Sequence, residues 1–202
     1  MLNQHIRRLH KIVRIATDTV KDVFTSGVTS TKKCPICKRS VRIFWPYGVM
    51  LRPGAQCPHC RALERHRTLW LYFEGCDLFK KPGMKLLHFA PERAFLSRFA
   101  AMDNIDYWPV DIDPNLPGIR CTADIMDLPF EDESMDMIIC NHVMEHIEDE
   151  AKAFSELHRV LKPDGIAIIN APVDTSREVT FENPEYNTPE LRLKHFGQHD
   201  HV

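Results

Sequence analysis

The chain has 202 residues, of which 44% are hydrophobic and 27% charged, with a formal net charge of −2. That balance supports a buried core and excludes a wholly disordered or fibrous chain. No run of about 18 apolar residues occurs, so no transmembrane segment is expected. The basic N-terminus lacks the apolar stretch and cleavage site of a secretory signal, which makes the cytoplasm the expected location. Seven cysteines is an odd count, and four of them form two Cys-x-x-Cys pairs. Without an export signal, that pattern favours a metal over a disulfide framework.

Charge is unevenly distributed. From Thr31 to Arg67 there are nine Lys/Arg against one acidic residue, whereas Asp103 to Asp164 carries sixteen Asp/Glu against four Lys/Arg. Opposite blocks could attract each other within the fold, or the basic one could meet an anionic partner such as nucleic acid.

In chain order, residues 5–24 read as an amphipathic helix, with Ile6, Leu9, Ile12, Val13, Ala16, Val20 and Val23 largely on one face. Ser26-Gly27 and Ser30 mark a linker, so 1–30 is expected to be a leading helix and linker. Residues 31–62 lack long periodicity and carry turn residues around each Cys pair. Arg65 to Phe79 looks helical until Pro82-Gly83. Short apolar runs then recur at Lys85–Phe89, Tyr107–Val110, Met135–Cys140 and Ile166–Asn170, separated by helix-like stretches. This alternation predicts βαβ units and a parallel sheet over a domain spanning 63–202. After Ala171, Pro172, Pro184 and Pro189 sit among charged residues and read as a long loop.

Cys34-Pro-Ile-Cys37 and Cys57-Pro-His-Cys60 are separated by 19 residues. Two thiolates three positions apart on a tight turn reach one ion, and a second such turn completes the tetrahedron zinc prefers. A four-cysteine zinc ribbon over 31–62 is therefore expected, structural because four sulfurs close the coordination sphere. The surrounding Lys32, Lys33, Lys38, Arg39, Arg42, Arg52, Arg61, Arg65 and Arg67 are either a solvated face or phosphate contacts.

Lys85-Leu-Leu-His88-Phe89-Ala90-Pro91-Glu92 reads as a strand entering a turn, with a helix over Arg93–Met102. Tyr107-Trp-Pro-Val-Asp111-Ile112-Asp113 follows about twenty residues later, where an acidic side chain ending a second strand can hydrogen-bond ribose hydroxyls. Then come Ala123-Asp124-Ile125 with Leu128-Pro-Phe130, Ser134-Met-Asp136, Asn141-His142 with Glu145-His146, and Glu156-Leu-His-Arg159-Val-Leu-Lys162-Pro-Asp-Gly165. In order and spacing, this stretch of about 85–170 resembles the class I S-adenosylmethionine-dependent methyltransferases of the broad type-11-like family.

The resemblance implies a Rossmann-like sheet in the order 3-2-1-4-5, with ligand at the carboxyl ends of the strands. It implies S-adenosyl-L-methionine as cofactor beside a structural Zn2+. By position, His88, Phe89, Ala90 and Glu92 would form the loop under the methionine part. Asp111 would take the ribose, with Ile112 and Asp113 nearby. Asp124 and Ile125 would hold the adenine, and Asn141 and His142 would face the sulfonium and the acceptor. His142 and Glu145 are the catalytic candidates where the acceptor must lose a proton. Two departures stand out: the first turn has His88, Ala90 and Glu92 where the family carries an acidic residue and glycines, and nothing after Ala171 reads as the family's closing hairpin. Either the chain is truncated or that edge is supplied otherwise.

The implied function is methyl transfer to an acceptor these residues do not specify: a small molecule is the expectation, nucleic acid the alternative through the basic block. The alternative function is a nucleic-acid- or protein-binding zinc-ribbon module whose Rossmann-like domain is inert. A nicotinamide-dependent oxidoreductase lacks its Gly-x-Gly-x-x-Gly turn. His195, His199 and His201 read as a polar tail, with acceptor contact or metal binding as alternatives.

Overall fold

The computed structural model describes residues 31–48, 50–173, 176–179, 181, 183, 185–198 and 201. The helix expected over 5–24 lies outside them. Two compact units emerge: one holds the described residues up to Lys80 together with Glu92–Ala101, the other Lys81–Pro91 and the residues from Met102 onward. No helix among the described residues is long and apolar enough to cross a membrane.

The first unit opens with two small antiparallel ribbons, β1 (Lys32–Lys33) with β2 (Ser40–Val41) and β3 (Trp45–Tyr47) with β4 (Arg52–Gln56). Helix α1 (Glu64–Gly75) follows. Its start is capped by His66, whose Nδ1 accepts the Leu63 backbone N–H at 3.2 Å and so satisfies one donor at a helix end that has no partner within the helix. Its end comes earlier than the expected Phe79, because Asp77 takes a left-handed backbone (φ 54°) that an α-helix does not admit. Trp70 and Phe73 of α1, Phe79, and Phe95 and Phe99 of α2 (Arg93–Phe99) pack as one aromatic cluster, with ring centroids 5.2–6.3 Å apart. Rings tilted or edge-on to one another place positive edges against negative faces, which adds to the burial itself.

The second unit is built on a five-stranded sheet: β5 (Met84–Phe89), β6 (Ile105–Asp111), β7 (Cys121–Thr122), β8 (Met135–Asn141) and β9 (Leu161–Asn170). Every pair is parallel and the spatial order is β7-β6-β5-β8-β9, which in chain order is 3-2-1-4-5. The central strands β5 and β8 are buried almost end to end, which is why they read as continuous apolar runs rather than alternating ones. Helix α3 (Glu150–Val160) buries Ala153, Leu157 and Val160, spaced four and three apart, into the cluster formed by Leu87, Phe89, Val110, Ile138 and Cys140. Asp149 starts α3 by accepting the Lys152 N–H at 2.9 Å. Among the described residues no strand follows Asn170. What does follow is a short helix, α4 (Pro189–His195), in the stretch expected to be loop. Its cause is local: Thr188 accepts the Leu191 N–H, Pro189 opens the first turn, and Arg192, Lys194 and His195 fill the last.

The amino end of the sheet is fastened by polar side chains. Asp136, at the start of β8, accepts from Lys81 (2.6 Å), the Lys85 backbone N–H (2.8 Å) and Lys162 (2.9 Å). Lys162 reaches it because β9 slips register: Met135 pairs with Leu161, but Met137 pairs with Ile166. The extra residues, Lys162 to Gly165, bulge out of the ladder. Arg159 donates to the carbonyls of Phe130 and Leu128 and to Asp132, tying α3 to the loop before β8.

Candidate functional site

At the opposite, carboxyl end of the sheet, backbone pairing runs on past the strands. Ala90 N–H donates to the Val110 carbonyl (3.0 Å), Ala123 N–H to Asp111 (3.0 Å) and His142 N–H to Asn170 (2.8 Å). The chain then turns sharply. Ala90, after β5, has φ 43°, and His142, after the adjacent β8, has φ 55°. A non-glycine residue held in this left-handed region costs about 1–2 kcal/mol, and such strain collects at functional sites. Ala90 thus performs the turn for which the sequence offers no glycine.

Asp111 closes β6, its Oδ1 accepting the Asp113 N–H at 2.9 Å. Asp124, just past β7, does the same for the Met126 N–H at 2.8 Å. Asp113 in turn caps Asn115 through both its backbone and its side-chain amide. Asn141 ends β8 with its side-chain oxygen accepting from the Asn170 side chain at 2.6 Å. The sheet therefore brings the turns that carry Ala90, Asp111, Asp124, Asn141 and His142 to one rim. Not every residue named from the sequence presents its side chain there. His88 is fully buried, its Nδ1 2.8 Å from the Tyr107 hydroxyl, and Ile125 belongs to the apolar cluster. Phe89 is buried as well, whereas Ile112 is 70% exposed. Glu92 precedes α2 in the first unit, 3.7 Å from His66 Nε2.

Beyond the His142 corner, a 3-10 turn at Met144–His146 carries Glu145, whose Oε1 lies 3.1 Å from His142 Nδ1. An Nδ1–H donated to that carboxylate leaves Nε2 as the ring's lone-pair nitrogen. A cavity of about 590 Å3 is lined by Glu145, Pro172, Val173, Arg177, His195 and His201 among others. The sequence places most of this wall in the long loop expected after Ala171, and His195 and His201 in a polar tail. The signal available was the Thr188-Pro189 helix start, which carries His195 into place.

In the first unit the two Cys pairs fold alike. Cys34 N–H donates to Arg39 O and receives Lys38 N–H at its own carbonyl; Cys57 does the same with Ala62 and Arg61. The fourth residue after each first cysteine, Lys38 (φ 58°) and Arg61 (φ 65°), is left-handed. All four sulfurs lie within 4.8 Å of one another, with Cys34–Cys60 at 3.7 Å and Cys37–Cys57 at 3.9 Å, and none forms a disulfide. Zinc–sulfur bonds of about 2.3 Å set tetrahedral edges of about 3.8 Å, so the cluster already has the dimensions of a zinc cage. Burial pushes the Cys34 and Cys60 thiols up. Burial also acts to raise Cys57, but the backbone N–H groups of Cys60 and His59, together with the Cys60 and Cys34 side chains, outweigh it and bring that thiol down.

Much of the basic block is already engaged within this unit. Lys38 pairs with Glu74 and Arg52 with Glu64. Arg67 donates to the carbonyls of Gly54, Ala55 and Ala62, and Arg61 lies over the Trp45 ring.

Residues 91–169 match a family model described as a methyltransferase domain. A protein of Mycolicibacterium smegmatis named a probable S-adenosylmethionine-dependent methyltransferase is 35% identical over 67 residues, 33% of this chain and 24% of that protein. An uncharacterised methyltransferase of Mycobacterium marinum is 33% identical over 90 residues, 39% of this chain and 35% of that protein. Among solved structures, a SAM-dependent methyltransferase from Archaeoglobus fulgidus is 16% identical with a TM-score of 0.45, over 57% of this chain and 56% of that one. The chain spans about a quarter to a third of the length of the curated relatives it matches. The likeness of this segment is to methyltransferase domains.

Proposed function

We propose that the second unit is an S-adenosylmethionine-dependent methyltransferase domain acting on a small-molecule acceptor. The observation that carries this reading is the carboxyl rim of the 3-2-1-4-5 sheet, where Asp111 and Asp124 close the second and third strands beside the left-handed corners Ala90 and His142. In this reading Asp111 accepts from ribose hydroxyls, with Asp113 beside it, and Asp124 accepts from the adenine amino group. His88, Phe89 and Ile125 serve through their backbone, since their side chains are buried. Ala90 exposes backbone to the methionine end, and Asn141 borders it.

When bound, S-adenosylmethionine supplies a methyl group on an already activated sulfonium. The protein's task is then alignment, which can contribute about 7–11 kcal/mol, and removal of the acceptor's proton. We assign the proton to His142 Nε2, with Glu145 fixing the orientation of the ring. In the first unit, Cys34, Cys37, Cys57 and Cys60 would hold a structural Zn2+ with no open position, which fits reduced thiols and a cytoplasmic location.

Titration calorimetry with S-adenosylhomocysteine tests the proposal. Saturable binding at micromolar to millimolar ligand supports it. No heat and no thermal shift at millimolar ligand leaves an inert binding module, which salt-dependent RNA or DNA binding would then identify.

A further inference from the structure

We propose a second metal site, formed by Glu145, His146 and His201 and opening on the cavity beside the carboxyl rim. One ligand atom from each of the three lies within 4.8 Å of the others. The two imidazoles stand edge to face, ring centroids 5.0 Å apart at 76°. Glu145 supplies the independent sign of a cation. Its Oε1 is taken by His142, while Oε2 is buried with no hydrogen-bond partner among the described residues. A buried carboxylate oxygen left in that state is costly unless a charge meets it. Here the approach to it is flanked by imidazoles, whose neutral nitrogens are metal ligands.

Two imidazoles and one carboxylate on a single ion suit zinc, iron(II), manganese, cobalt or nickel rather than calcium or magnesium. Tetrahedral bonds of about 2.0–2.1 Å place ligand atoms roughly 3.3 Å apart, so the three side chains draw inward when the ion binds. Three protein ligands leave positions open, as in catalytic rather than closed sites. Glu145 and His201 both line the 590 Å3 cavity, so those positions face a space large enough for a small oxygen-donor ligand. The hydrogen bond from His142 fixes the Glu145 carboxylate from behind, the arrangement by which outer partners orient metal ligands.

Metal counting on the full chain tests this. Cobalt added to metal-free protein gives a first equivalent with intense thiolate-to-cobalt absorption from the cysteine cluster and a second equivalent without it. Protein saturated with zinc at the cysteines then takes up one further nickel ion. His146→Ala and His201→Ala each lower that second affinity by more than about 100-fold, and His142→Ala lowers it by about 10–100-fold, while the thiolate-to-cobalt band survives in all three. A single equivalent in the wild-type protein overturns the site, as does a second equivalent that persists in the His146→Ala/His201→Ala double variant. The count involves no methyl donor, so it stands or falls separately from the methyltransferase reading.

Discussion

Arg159 holds both carboxylate oxygens of Glu156, its Nε and Nη2 each 2.7 Å from one of them. The pair stands three residues apart on α3, and Glu156 extends it by accepting the Leu128 N–H at 2.8 Å. Arg159, followed by the Leu128 N–H, holds the Glu156 carboxyl at about 2, well below the usual range. The fork geometry of the guanidinium serves five acceptors at once, and a lysine offers no such fan of donors.

Arg159→Ala should therefore lower the melting temperature and expose the loop around Leu128–Phe130 to hydrogen exchange before the rest of the unit opens. Arg159→Lys should recover only part of the loss. Equal melting temperatures for wild type and Arg159→Ala would show that the loop is held by its apolar residues alone.

Asp136 predicts an acid transition. Burial acts to raise its pKa, but Lys81, the Lys85 N–H and Lys162 outweigh that and hold it at about 2. An unfolded aspartate titrates near 3.9. The stabilisation is therefore complete above about pH 4 and is lost as pH falls through about 2, a contribution of roughly 2 kcal/mol. Asp136→Asn should remove most of it at neutral pH and flatten the acid limb of a stability–pH curve. An unchanged acid limb in the variant would refute the assignment.

These two anchors show what the sequence could and could not convey. The strands at 84–89 and 135–141 were legible from the apolar runs at their buried centres, and 105–111 from the shorter run Tyr107–Val110. The first half of β9 was not, since Pro163 and Gly165 read as a break; the structure turns them into the bulge that delivers Lys162 to Asp136. Asp136, Glu156, Arg159 and Lys162 contribute heavily to the family resemblance, yet they fasten the sheet and its helix rather than line the rim. The corners at Ala90 and His142 were invisible because neither residue type announces a positive φ. The basic block looked available for phosphate, and only three-dimensional packing assigns Lys38, Arg52, Arg61 and Arg67 to partners. The cysteine pairs were plain from spacing alone.

Ala90→Gly should raise stability by about 0.5–1 kcal/mol, because glycine removes the left-handed penalty of about 1–2 kcal/mol at a smaller cost in unfolded-state freedom. Ala90→Val should lower it, and chemical denaturation reads both. A loss of stability in Ala90→Gly would mean the corner is not strained.

Asp111→Asn keeps an acceptor for the Asp113 N–H but loses the charge, and should weaken S-adenosylhomocysteine about tenfold with little change in melting temperature. Asp111→Ala should weaken it further. Unchanged affinity in both would remove Asp111 from the ribose.

Elemental analysis should find zinc that Cys57→Ser loses, together with the antiparallel pairing of β3 and β4 seen by hydrogen exchange. A zinc content unaffected by that change would place the metal elsewhere. Strong chelators should reproduce the variant's effect in the wild-type chain.

The turns after β6 and β7 have one more consequence. One oxygen each of Asp111 and Asp124 is bonded to a backbone amide two residues on, so neither carboxylate rotates freely before a visitor arrives. Freezing a mobile side chain on association costs about 0.5–1.5 kcal/mol. Here that loss is incurred during folding, so any ligand of this rim would meet acids that already hold fixed directions.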